Sequence, residues 1–138
     1  MAVQLAREGV RLALTGRRRE KLEEVCAAAR AAGAAEALPL AGEASRREQV
    51  QAHYAEIKKR WGGLDWAILN AGVSDSRGAR DFSAENIRST FETNVFGVAE
   101  WIETVLPDML AAGEGVIAGV SSLAAYRGLP LSGAYCAS

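Results

Sequence analysis

The alternation of short apolar runs with longer stretches of helical periodicity constrains this chain most. Residues 10–15 (Val-Arg-Leu-Ala-Leu-Thr), 36–40, 65–69 (Asp-Trp-Ala-Ile-Leu) and 116–120 (Val-Ile-Ala-Gly-Val) are too short to be buried helices. Their largely apolar pattern is that of strands covered on both faces. Between them, Leu22, Val25, Cys26 and Ala29 recur at helical spacing, with Gly33 as the stop. Ser45-Arg-Arg-Glu48 has the spacing of a capping box, so the next helix is expected to start at Ser45 and run to about Arg60, with Val50, Tyr54 and Ile57 inward. Ser83 can cap a long helix to about Ala112, its face made of Ile87, Phe91, Val95, Val98, Ile102 and Leu106. Pro107 is expected to kink that helix or end its regular part. Residues 2–8 read as the tail of an amphipathic helix capped by Gly9, and residues 73–81 as a loop. Strands alternating with crossover helices predict an α/β fold with a doubly wound parallel sheet.

Composition narrows the classes of partner. At 138 residues the chain suits one domain, residues 1–138. With 16 basic and 17 acidic residues it has no electrostatic footprint for nucleic acid or an anionic membrane. No apolar run approaches the ~18 residues of a membrane span, and no leader pattern stands at the start. Cys26 and Cys136 lie far apart, without a CxxC pair, and fit a reduced, cytoplasmic setting. His53 has no cluster around it, so no metal is expected, and Trp61, Trp66 and Trp101 are expected to pack.

Ligands of parallel α/β sheets bind at the carboxyl ends of the strands. Those ends carry Gly16-Arg17-Arg18, residues 41–44, Asn70-Ala71-Gly72 and Ser121-Ser122. Arg17 offers a planar fork of donors where a ribose 2′-phosphate would lie, with Arg18 beside it. A solvated helix start is the plainer account, but cations there oppose the helix dipole. Asn70, Ala71 and Gly72 leave backbone accessible to a flat ring, although alone such a triplet is a common turn. Asn94 sits near the apolar stripe of the long helix and needs hydrogen-bond partners there. Ser122 and Tyr135 are thirteen positions apart. A hydroxyl at a strand end and a phenol on the next helix can together hold and protonate a carbonyl oxygen. Ser121 and Tyr126 are the alternatives; the spacing favours Ser122, and Tyr126 lies too close to the strand end.

These pieces together resemble the short-chain dehydrogenase/reductase family over essentially the whole chain. The matching stretches are Leu14-Thr15-Gly16-Arg17-Arg18, Leu69-Asn70-Ala71-Gly72, Thr93-Asn94-Val95-Phe96-Gly97, Val120-Ser121-Ser122 and Tyr135-Cys136-Ala137-Ser138. The resemblance implies a Rossmann-like sheet truncated at both ends, that is, a partial NAD(P)-binding domain. It implies Tyr135 as acid/base, Ser122 orienting the substrate oxygen and Asn94 supporting the proton relay. Asn70, Ala71 and Gly72 would border the cofactor, and Glu43 would meet the adenine in place of the family's usual aspartate. Arg17 implies NADP(H) over NAD(H). The substrate would be a small carbonyl or secondary alcohol, and the long helix suggests a homo-oligomer when the chain is complete.

Two family features are absent: the glycine-rich phosphate loop and the lysine that would follow Ser138 directly. An ordinary phenol is only about one-thousandth ionised at pH 7, and the family uses that lysine to favour the ionised form. The chain as it stands is therefore expected to be nearly inactive. In the family sheet a strand lies between the runs at 10–15 and 65–69. Four parallel strands, with a gap or a distorted pairing, are expected here. The rival expectation is a non-catalytic dinucleotide sensor or interaction module on the same fold. An epimerase or dehydratase of the extended branch would need a substrate domain for which the short loops leave little room.

Overall fold

In the computed structural model, which describes residues 1–138 apart from the Ala79 side chain, all four apolar runs are strands. They form two separate two-stranded parallel sheets, fewer than the five paired strands that would contradict the expectation. The chain divides into two units, Met1–Glu43 and Ala44–Ser138.

The first unit contains α1 (Ala2–Ala6), β1 (Arg11–Gly16), α2 (Arg19–Ala31) and β2 (Glu36–Ala41). β1 and β2 run parallel, with Arg11 opposite Glu36 and Gly16 opposite Ala41. Ala6, Cys26, Ala29 and Ala37 are buried together, with Leu12, Leu14, Ala32 and Ala34 packed around them. Small side chains let α1 approach α2 closely. Gly33, at φ +115°, takes a backbone form that favours glycine, and a Cβ there would press on the Ala6 carbonyl oxygen at 3.3 Å. α1 ends earlier than the glycine pattern suggests: Arg7 caps it, and Gly9 lies in the turn beyond.

The second unit contains α3 (Arg47–Trp61), β3 (Trp66–Leu69), α4 (Ala84–Phe91), α5 (Gly97–Ala112), β4 (Val116–Gly119) and α6 (Gly133–Ala137). β3 and β4 pair in parallel from Trp66 opposite Val116 to Leu69 opposite Gly119. α3 packs against α5. Val50 and Ile57 from α3 and Val105 from α5 are almost wholly buried, each worth roughly 1.5–3 kcal/mol relative to exposure. Outside this packing, the Arg47 guanidinium reaches Glu100 at 3.0 Å and Glu103 at 2.6 Å.

Four expectations change. Ser45 does not cap α3: it belongs to a turn, and Arg46 takes the cap position with no side-chain capping bond. The Ala44–Ser45 backbone lies against Gly97, so the helix starts beyond that contact. The long helix is not one α-helix, because residues Glu92–Phe96 form a π-helical turn between α4 and α5. Such a turn breaks the 3.6-residue period. The buried face is therefore Thr90, Gly97, Trp101, Val105 and Met109, and Leu106 of the expected stripe is exposed. The helix runs past Pro107 to Ala112, so the proline does not end it. A proline removes one backbone bond, and burial of Val105 and Met109 on either side holds the helix across it. Trp66, expected to pack, is 62% exposed.

Candidate functional site

The first unit places Arg17 and Glu43 just beyond the carboxyl ends of neighbouring strands. The Gly42 amide donates to the Gly16 carbonyl at 2.8 Å, carrying the β1–β2 pairing one step further. Arg17, Arg18 and Glu43 are all exposed, and Arg18 caps α2 without a side-chain bond of its own to the helix. Two guanidinium forks beside a helix start form a donor set suited to a phosphate monoester.

The second unit gathers the remaining candidates at the carboxyl ends of β3 and β4. Asn70, Ala71 and Gly72 follow β3 directly, with their backbone exposed. Asn94 lies in the π-helical turn, and its amide is used in full. Oδ1 accepts the Val73 amide hydrogen at 2.8 Å. Nδ2 donates to the Val73 carbonyl at 3.0 Å and to Ser138 Oγ at 2.8 Å. A Cβ on Gly72 would stand 3.6 Å from Asn94 Oδ1. Asn94 thus fixes the turn after β3 in two directions and has no amide hydrogen left for a ligand. Wide helical turns of this kind recur at functional sites, and nothing in the periodicity of residues 83–112 announces one.

Ser122 opens a 3₁₀ turn, Leu123–Ala125, and its Oγ accepts the Ala124 amide hydrogen at 3.2 Å. That turn packs against α6, which carries Tyr135. Ser122 and Tyr135 are both half-buried, whereas the alternative phenol Tyr126 is 91% exposed. α6 is tied to the preceding loop by the Leu129 amide, which donates to Cys136 Sγ at 3.2 Å. Leu131, at φ +64°, sends its carbonyl to the Arg77 amide at 2.7 Å, joining the loop after β3 to the loop before α6.

Ser138 is the residue whose part in the site the sequence left open. Its Oγ accepts from Asn94 and donates to the Tyr135 carbonyl at 3.0 Å. The available signal was its place three residues after Tyr135, on the same helical face. Among the described residues no cluster of His, Cys, Asp and Glu could hold a metal ion, and no helix is long and apolar enough to cross a membrane.

Known proteins resemble this chain in sequence and in fold. An uncharacterized oxidoreductase of Myxococcus xanthus is 36% identical over 138 residues, which is 100% of this chain and 54% of that protein. NAD+-bound xylitol dehydrogenase superposes with a TM-score of 0.92 at 27% identity, over 99% of this chain and 52% of that one. An alcohol dehydrogenase from the archaeon Thermococcus sibiricus, complexed with 5-hydroxy-NADP, does so with a TM-score of 0.87 at 26% identity, over 99% and 58%. The chain therefore spans about half the length of the relatives it matches. The family model for short chain dehydrogenase covers residues 1–138. A parallel α/β chain with its polar residues at the strand ends, matched from first residue to last by that model, belongs to the short-chain dehydrogenases.

Proposed function

We propose that the protein is an NADP(H)-dependent oxidoreductase acting on a carbonyl or secondary alcohol. The observation that carries this reading is the Asn94 network, which ties the turn after β3 to the helix bearing Tyr135. When bound, the nicotinamide cofactor supplies or accepts the hydride. The chain's own residues do the rest. Ser122 Oγ already accepts the Ala124 amide hydrogen, so its own hydrogen is available to a substrate oxygen. Tyr135 gives that oxygen a proton in reduction and takes it back in oxidation. Asn94 acts through backbone, holding the Gly72–Val73 turn against which a flat ring would lie. Arg17 and Arg18 suit the ribose 2′-phosphate, and the Glu43 carboxylate can accept from an adenine amino group. The reading also places the protein in the cytoplasm, with copies paired through the helical stretch at 84–112. The exposed Leu106 and Leu110 on α5 support that pairing.

The test is NADPH oxidation against a carbonyl panel, using the natural polypeptide that carries this stretch. Tyr135→Phe should lower kcat about 10²–10⁴-fold, the usual worth of a positioned acid/base group. Undiminished turnover in that variant would remove Tyr135 from its role. Tight NADPH binding with no turnover of any carbonyl would instead favour a non-catalytic dinucleotide sensor.

A further inference from the structure

We propose that Leu131 is a positioning residue for Tyr135, its strained bend fixing the segment between Ser122 and Tyr135 against the loop after β3. The inference rests on Tyr135 being the proton donor and acceptor. Among the described residues Leu131 is the one non-glycine with a positive φ, +64°. A left-handed backbone is uncommon for any side chain and an outlier for a bulky one. Glycine would adopt it freely, so the bend at a leucine is held from outside. Two contacts hold it. The Arg77 amide donates to the Leu131 carbonyl at 2.7 Å. Leu131 Cδ2 lies 3.5 Å from where a Cβ on Gly78 would stand.

The loop that supplies both contacts is itself anchored. Asp75 Oδ2 accepts from Arg77 Nε at 2.8 Å and from Asn86 Nδ2 at 2.9 Å, which ties the loop to the first turn of α4. Nearer β3, Asn94 holds Val73 through both its amide and its carbonyl. A bend fastened to such a loop gives the segment a fixed point just before Ser132, the cap of the helix that carries Tyr135. These contacts all lie upstream of that helix, so the fixed point is independent of how far the helix runs. Backbone strain that its surroundings hold in place gathers at sites that must be preorganised. Relaxing Leu131 to a right-handed form would turn its carbonyl away from Arg77 and shift the start of the helix, carrying the phenol with it.

The experiment compares Leu131→Gly with Leu131→Ile in the natural polypeptide. Glycine keeps the left-handed backbone and loses the side chain. Isoleucine keeps the apolar bulk but, being β-branched, drives the backbone out of that region. Turnover and its pH profile are measured beside NADPH binding by nicotinamide fluorescence, thermal unfolding and hydrogen exchange at the Arg77 amide. Since misplacement by about 1 Å can cost on the order of 10²-fold in rate, Leu131→Ile is expected to lower kcat about tenfold. It should also shift the pH profile and speed exchange at Arg77. NADPH affinity should stay within about twofold, the pattern of an interaction realised in the transition state. Leu131→Gly should keep the kcat, the pH profile and the Arg77 protection of the wild type. The reverse order, with isoleucine active and glycine impaired, would overturn the proposal, because the side chain rather than the bend would then matter. So would wild-type kcat and pH profile in Leu131→Ile with Arg77 protection lost. If Leu131→Ile does not fold, Asp75→Ala, which frees the Arg77 loop from α4, replaces it with the same expected and overturning results. A fully active Tyr135→Phe would instead sink the underlying assignment, while exchange at Arg77 would still report on the bend.

Discussion

The Tyr54 phenol donates to Asp108 Oδ2 across 2.7 Å, joining α3 to α5. Lys58 Nζ reaches the same oxygen at 2.7 Å and lies 5.7 Å from the centre of the Tyr54 ring. Burial, and then the bond to the Asp108 carboxylate, push the Tyr54 pKa up to about 12. The bonds from Lys58 and Tyr54 hold the Asp108 carboxyl below its usual range.

This pair predicts two edges of pH stability. A raised phenol stabilises the fold below its unfolded pKa near 10, and that contribution is lost as pH rises toward about 12. A depressed carboxyl stabilises above its unfolded pKa near 3.9 and loses that contribution as pH falls through its folded value. Chemical denaturation followed by far-UV circular dichroism across pH should show both declines. Tyr54→Phe should weaken the alkaline one, and an unchanged alkaline decline would show that Tyr54 does not cause it.

Gly97 should not tolerate a side chain. A Cβ there would stand 3.0 Å from the Ala44 carbonyl oxygen and 3.1 Å from its carbon, both backbone atoms that cannot swing aside. Gly97→Ala is expected to cost about 1–3 kcal/mol, as overpacking does. Gly63 has nothing within 4 Å of its would-be Cβ, so Gly63→Ala should stay within about 0.5 kcal/mol of wild type. Urea midpoints of the two variants decide it, and equal midpoints would contradict the contact.

The Val73 amide should report on Asn94 directly, since it donates to Asn94 Oδ1. Asn94→Ala is expected to raise hydrogen exchange at Val73 about fivefold, the worth of roughly 1 kcal/mol of hydrogen bond. Amides inside β1 should exchange as before. Unaltered protection at Val73 would mean that the turn after β3 holds its form without Asn94.

Arg17 should set cofactor preference if the proposed reading is right. Arg17→Asp should weaken NADPH at least tenfold, through loss of a charge-assisted bond and gain of repulsion. It should leave NADH binding equal or tighter. Fluorescence titration with both cofactors gives the answer, and parallel loss of both would point to misfolding or to a general role of the residue.

Some of this protein was legible in the order of its residues. The four strands followed from short apolar runs, and the ends of α2, α3 and α5 from glycines, because both signals are local in sequence. Ser83 as a helix cap was equally readable: its Oγ accepts the Asn86 amide at 3.2 Å. The turn that Ser122 opens packs against the helix that carries Tyr135.

Only the tertiary structure decided the rest. Ser45 matched a capping pattern and did not cap; its backbone and that of Ala44 lie against Gly97 instead. The π-helical turn at Glu92–Phe96 carries Asn94, whose partners Val73 and Ser138 lie 21 and 44 residues away in the chain. A periodicity argument sees neighbours three and four positions apart and is blind to such bonds. Sequence fixes which side chains a strand end or a helix face can offer; distance in space decides which of them are spent on holding the frame and which remain for chemistry.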